Sequence, residues 1–150
     1  MIGIAGDHGG FELKKEILKY FNDRNIDVLD LGTDNMERTD YPLYAKKMAD
    51  EIEKGSITKG ILICKSGHGM NIAANKFKGV YASICYSEES AIKAVEDDNI
   101  NVCVLSSDDT SLDEAIKIIH IFLDRKLKTD DTRYLERFKM VEEFEKENFK

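Results

Sequence analysis

The chain has 150 residues, 42% of them hydrophobic, and its 22 Lys and Arg face 29 Asp and Glu for a formal net charge of -7. That length supports one globular domain over residues 1–150 with a core of its own, and the acidic balance argues against nucleic acid or an anionic membrane surface as a partner. Three cysteines, with no long apolar span and no leader-like segment, point to a reduced cytoplasmic protein.

The first apolar run, Ile2 to Ala5, leads into Gly6-Asp7-His8-Gly9-Gly10 and then a helical pattern from Phe11 to Phe21. A glycine turn that opens a helix gathers backbone N–H groups and suits an anion. It is a weak nucleotide fingerprint, because the G-x-G-x-x-G spacing is missing, although Asp30 stands where a ribose-binding acid would. Asp7 offers a carboxylate for sugar hydroxyls and His8 an imidazole for a phosphate or a proton. A turn with a purely structural Asp-His pair reads the same way.

A second strand is expected over Asp27 to Leu31, followed by the polar loop Glu37-Arg38-Thr39-Asp40-Tyr41, the only proline, Pro42, and a helix from Tyr44 to Lys54. Gly60 to Cys64 forms the third strand. It ends on a cysteine, opens the loop Lys65-Ser66-Gly67-His68-Gly69-Met70 and continues as a helix from Asn71 to Phe77. The loop amides and the helix start make an anion site, and the same field favours a thiolate, so Cys64 is a candidate base or nucleophile. A buried strand-end cysteine is the plain alternative.

Val80 to Cys85, a helix from about Glu88 to Glu96, Asn101 to Leu105, and a helix from Leu112 to Leu127 complete the alternation. Five strands separated by helices imply a parallel sheet covered on both faces, with ligands at the carboxyl ends of the strands. Cys85 and Cys103 lie inside strand-like runs and read as small core residues, and His120 as a helix-edge residue without a catalytic role. No His, Cys and carboxylate cluster has metal-ligand spacing, so neither metal nor cofactor is expected.

From about Arg133 an amphipathic segment closes the chain. Arg133 and Arg137 share one helix face and could grip a phosphate together, or form ordinary surface charge. Leu135, Phe138, Val141 and Phe144 form an apolar stripe expected to make an oligomer contact, while Glu142-Glu143-Phe144-Glu145 reads as a solvated acidic face.

Taken together, Gly6 to Phe11, Glu37 to Pro42, Cys64 to Lys76 with its Asn71-Ile72-Ala73-Ala74-Asn75-Lys76 tail, and Arg133 with Arg137 resemble the type B ribose-5-phosphate isomerase family, which includes the galactose-6-phosphate isomerase subunits. The resemblance runs nearly end to end. It implies an α/β subunit built as a Rossmann-like three-layer sandwich, with a C-terminal helix for dimer contact. It also implies a homodimer, or a tetramer built from it, with sites between subunits, and metal-free interconversion of an aldose phosphate and a ketose phosphate.

Carried over by resemblance, Cys64 is the base that moves a proton between the carbons beside the carbonyl through an enediolate. The amides of Ser66, Gly67, His68, Gly69 and Met70 are the anion hole for the enediolate oxygen, with Ser66 in place of the usual threonine. Asp7 lies near the sugar hydroxyls and Tyr41 lines the pocket. His8, Arg133 and Arg137 contact phosphate, some of them from the opposite subunit. Lys65 replaces a glycine and stands as a cation beside the loop or extends into solvent.

The departures are acidic. Asp97-Asp98 replaces a His-Asn pair whose histidine helps to open the sugar ring, and Asp108 replaces a phosphate-binding arginine. Asp97 or His68 is therefore the expected catalytic substitute, unless the sugar ring opens by itself, with Asp98 facing substrate. Ribose 5-phosphate is the leading substrate. The alternatives are another pentose or hexose phosphate, such as allose or galactose 6-phosphate, and a sugar-phosphate-binding partner subunit without turnover.

Overall fold

A computed structural model describes residues 1–149 of the chain. Five strands form one parallel sheet: β1 (Ile2–Gly6), β2 (Val28–Asp30), β3 (Lys59–Cys64), β4 (Ala82–Ile84) and β5 (Val102–Ser106). Their order across the sheet is β2-β1-β3-β5-β4. Strand β3 pairs with β1 from Ile2↔Lys59 to Gly6↔Ile63, and with β5 from Gly60↔Val102 to Cys64↔Ser106. Both neighbours of β3 therefore end level with it, and Cys64 emerges at the carboxyl edge between two loops.

The helices divide between the two faces as the alternating burial of the strands requires. Ile61, Ile63, Cys103 and Leu105 face one core with α1 (Phe11–Asp23), α4 (Glu88–Glu96) and α5 (Leu112–Asp124). Leu62, Cys64, Val102 and Val104 face the other with α2 (Tyr41–Lys54) and α3 (His68–Ala74). Capping boxes at Ser87 and Ser111 start α4 and α5, each serine accepting the N–H three residues on. The two outer cysteines are core residues as expected. In the buried Cys85–Cys103 pair, the hydrogen bond with Cys85, followed by burial, pushes the Cys103 thiol well above its ordinary value.

Several boundaries differ from the sequence reading. Helix α3 begins at His68 rather than Asn71, because the left-handed Gly67 (φ 84°) completes the turn early, so His68, Gly69 and Met70 are helical. Met70 is fully buried, so its side chain serves the core and only its amide is available to a ligand. Helix α2 begins at Tyr41, with Asp40 at its N-cap and proline at the start of its first turn. Helix α5 stops at Asp124, short of Leu127, where Lys59 Nζ donates to the Phe122 carbonyl at 2.7 Å.

The closing helix α6 (Thr132–Asn148) contains no buried residue. It is held on by Glu145, which accepts from the Gly79 N–H at 3.0 Å and from the Tyr81 hydroxyl at 2.9 Å, and by the Tyr81–Phe138 edge-on ring contact. Glu145 is thus a structural anchor, not part of a solvated face, and burial with Glu145 alongside pushes the Tyr81 hydroxyl far up. The Asn75 side chain accepts from the Ala82 N–H (2.8 Å) and donates to the Ala82 carbonyl (2.9 Å), pairing with β4 as a neighbouring strand would.

Candidate active site

The connections of β1 and β3 leave the sheet on opposite faces, which opens a crevice at their carboxyl ends. The first glycine turn closes tightly over β3: a Cβ on Gly10 would lie 2.3 Å from the Ile63 carbonyl oxygen, so only glycine fits. Asp7 follows β1, is 7% exposed, and accepts the Gly10 N–H at 3.1 Å through Oδ1. His8 is fixed by Thr39: its Nδ1 lies 3.2 Å from both the N–H and the carbonyl oxygen of that residue.

Cys64 ends β3 with 5% of its surface exposed, and the Gly67 N–H donates to its Sγ at 3.2 Å. The His68 N–H donates to Ser66 Oγ at 3.3 Å, while the Gly69 and Met70 amides, at a helix start, have no intrahelical acceptor. Tyr41 lies directly over Gly69: a Cβ there would come within 2.6–3.0 Å of three ring carbons. A thiol, a row of amides, a buried carboxylate and a phenol therefore stand on the loops at the same edge of the sheet, residue types able to hold a polyol and move a proton beside a carbonyl.

The loop after β5 locks the two glycine turns together. Ser107 Oγ donates to the Gly9 carbonyl at 2.7 Å and the Ser107 N–H to the Cys64 carbonyl at 3.0 Å. The Lys65 carbonyl accepts from the Asp108 N–H at 3.0 Å and from Ser106 Oγ at 2.8 Å. Sequence reading missed Ser106, Ser107 and Thr39. The signal for the serines was their position directly after a strand that ends at the ligand edge. The Lys65 and Asp108 side chains are exposed. Ser66, His68, Asn71, Ser83, Tyr86 and Ser106 line an adjoining cavity of about 430 Å³.

Asp30 has a different task from the one its position suggested. Its Oδ1 binds the fully buried Lys14 Nζ at 2.7 Å and accepts the Gly32 N–H at 2.9 Å. A carboxylate occupied in this way does not read a ribose.

The structure does not bring the remaining expected residues to Cys64 within one chain. Helix α4 runs back along the sheet, so Asp97 and Asp98 at its end lie at the amino edge, ahead of the start of β5. Strand β5 alone separates the two edges by about 13 Å at 3.3 Å per residue. Together with Tyr81, Arg137 and Phe138 the two aspartates line a separate cavity of about 310 Å³. Asp97 Oδ1, withdrawn from solvent, lies 3.1 Å from Lys128 Nζ, an ionic contact that raises the Lys128 ammonium above its ordinary value. Arg133 is paired to Asp131, whose carboxyl it pulls down to about 2, and both side chains stay at the surface.

His120 makes a 2.6 Å bond to the Tyr20 hydroxyl between α5 and α1, consistent with a helix-edge role. Among the described residues no group of three or more His, Cys, Asp or Glu is placed to hold a metal ion. No described helix is long and apolar enough to cross a membrane.

Residues 2–141 match the family model described as Ribose/Galactose Isomerase. Ribose-5-phosphate isomerase B of Escherichia coli is 40% identical over 122 residues, covering 81% of this chain and 82% of that protein. A probable ribose-5-phosphate isomerase B of Mycoplasma genitalium is 40% identical over 148 residues, covering 97% and 96%. The fold superimposes on ribose-5-phosphate isomerase B of Clostridium thermocellum with a TM-score of 0.91 at 35% identity, covering 97% of each chain. The Mycoplasma genitalium enzyme with bound ribulose 5-phosphate gives 0.90 at 40% identity, covering 98% of this chain and 97% of that one.

Proposed function

The chain belongs to the ribose/galactose isomerase family, and on that premise we propose that it interconverts ribose 5-phosphate and ribulose 5-phosphate, with Cys64 as the base. The observation that carries the reading is the Gly67 N–H on Cys64 Sγ at the carboxyl edge of the sheet, where the Asp7 turn also ends. Cys64 takes the proton from the carbon beside the carbonyl, the amides beyond Gly67 receive the enediolate oxygen, and the proton returns to the neighbouring carbon. No metal enters these steps. Asp7 orients the sugar hydroxyls, and His8 with arginines meets the phosphate.

Each site is completed by a second copy of the chain. Arg137 and the two aspartates sit at the opposite edge of the sheet from Cys64, and α6 leaves Leu135, Val141 and Phe144 43%, 48% and 56% exposed. A homodimer that covers this stripe would carry one chain's amino-edge cavity toward the other's crevice. Three free, buried thiols suit a reducing cytoplasm.

The test is interconversion of the two pentose phosphates in chelator-treated buffer by the wild type and by Cys64→Ala. Turnover that survives chelation and vanishes with the thiol is the expected result. A wild-type chain inert on this pair but active on a hexose phosphate would move the substrate and keep the chemistry.

A further inference from the structure

The phosphate of the substrate is a dianion, and the loops at the carboxyl edge hold little to meet it. Asp7 follows β1, and Asp108 and Asp109 follow β5, so the carboxylates around the crevice repel an anion. In the loops that follow the five strands, the Lys and Arg residues are Arg38 and Lys65. Elsewhere Lys14 is buried against Asp30, Arg133 is paired to Asp131, and Arg137 lines the cavity at the opposite edge. Lys65 is exposed and enters no ion pair among the described residues.

The backbone of Lys65 is fixed where the two glycine turns meet. Its carbonyl accepts from the Asp108 N–H at 3.0 Å and from Ser106 Oγ at 2.8 Å. A Cβ on Gly9 would lie 3.3 Å from Lys65 Cβ and 3.4 Å from its nitrogen. The four-carbon stem of the lysine therefore starts against the turn that carries His8, one residue from it, and next to the strand end that carries Asp108.

We propose that the Lys65 ammonium is the cation with which each chain holds the phosphate of its own substrate beside His8, so that it selects phosphorylated sugars over free ones. The proposal rests on the isomerase reading above, which gives His8 to the phosphate. A charge in this place offsets the Asp108 carboxylate on the adjoining loop and leaves the crevice able to accept a dianion. Arg38 stands on the loop whose Thr39 backbone holds His8, which makes it the comparison residue. The phosphate takes no part in bond making, so its contact is the same in the ground and transition states and acts on KM rather than kcat.

The test is steady-state turnover of ribose 5-phosphate, with inorganic phosphate as the competing anion, by the wild type, Lys65→Met, Lys65→Arg and Arg38→Met. Calorimetric titration of ribose 5-phosphate into Cys64→Ala, with and without Lys65→Met, reads binding apart from chemistry. Lys65→Met is expected to raise KM and the inhibition constant of phosphate by on the order of tenfold, with kcat within about twofold of wild type, and to weaken the titrated binding equally. Lys65→Arg, which keeps a phosphate-binding charge, is expected to retain most of the affinity. Unchanged constants in Lys65→Met overturn the proposal. So does a loss confined to kcat with a displaced pH profile, which would give the ammonium to the Cys64 thiol, or a larger rise in KM with Arg38→Met than with Lys65→Met. If the wild type binds ribose 5-phosphate without turning it over, and Lys65→Met weakens that binding, the phosphate contact stands while the isomerase reading falls; no binding at all removes both.

Discussion

The Gly67 amide donates to Cys64 Sγ at 3.2 Å while its own φ of 84° turns the chain into α3. One residue thus both forms the loop and holds the sulfur. An L side chain in this region costs about 1–2 kcal/mol, and Ile84 leaves ordinary van der Waals room for a methyl group, at 3.6 Å. Gly67→Ala should therefore fold with about that loss of stability in urea titration, yet lose activity by more than the stability loss explains, because the amide swings off the sulfur.

Tyr41 against Gly69 makes a second, separable prediction. A methyl group at Gly69 meets the ring at 2.6–3.0 Å, and Tyr41 is 38% exposed and free to tilt away. Gly69→Ala should lower kcat/KM by about tenfold, roughly 1.4 kcal/mol, with little change in melting temperature. In a Tyr41→Ala background the same substitution should cost much less. Additive losses in the double variant would show that the two residues do not act through this contact.

Lys14 and Asp30 are paired at 2.7 Å, with side-chain exposures of 2% and 42%, so removing either partner has unequal effects. Asp30→Asn leaves a buried ammonium without its counter-ion, a change worth about 3–5 kcal/mol. Lys14→Met removes the buried charge, keeps most of the volume and leaves Asp30 able to reach water, so it should be far milder. Urea titrations in which Lys14→Met proves the more damaging would refute this account.

Arg133 holds the Asp131 carboxyl at about 2, below the ordinary carboxylate value, chiefly through their side-chain hydrogen bonds. Because the folded value lies below the unfolded one, the pair stabilises the fold above about pH 3.9 and its contribution fades as pH falls toward the folded value. Carboxyl NMR should find Asp131 titrating near 2 in the wild type and close to the ordinary value in Arg133→Ala. An unchanged midpoint would mean that the pair does not persist in solution.

Strand and helix alternation made the sheet and its carboxyl edge legible, because Ile61, Leu62 and Ile63 can only be a strand buried on both faces and Gly67 can only be a turn. The Cys64 loop was legible for the same reason. The Asp97–Lys128 pairing was not, since it joins the end of α4 to a linker 31 residues away and no local pattern reports it. Glu145 misled because three acidic residues in four look solvated. Its anchoring of Gly79 and Tyr81 depends on how α6 docks, which is a tertiary fact.

The Asn75 amide that occupies Ala82 decides how this protein is able to associate. A parallel sheet that ends in a bare strand invites any extended peptide to join it. Here the β4 rim already has a side chain seated in that place, so strand-to-strand growth into fibre-like polymers is discouraged at that edge.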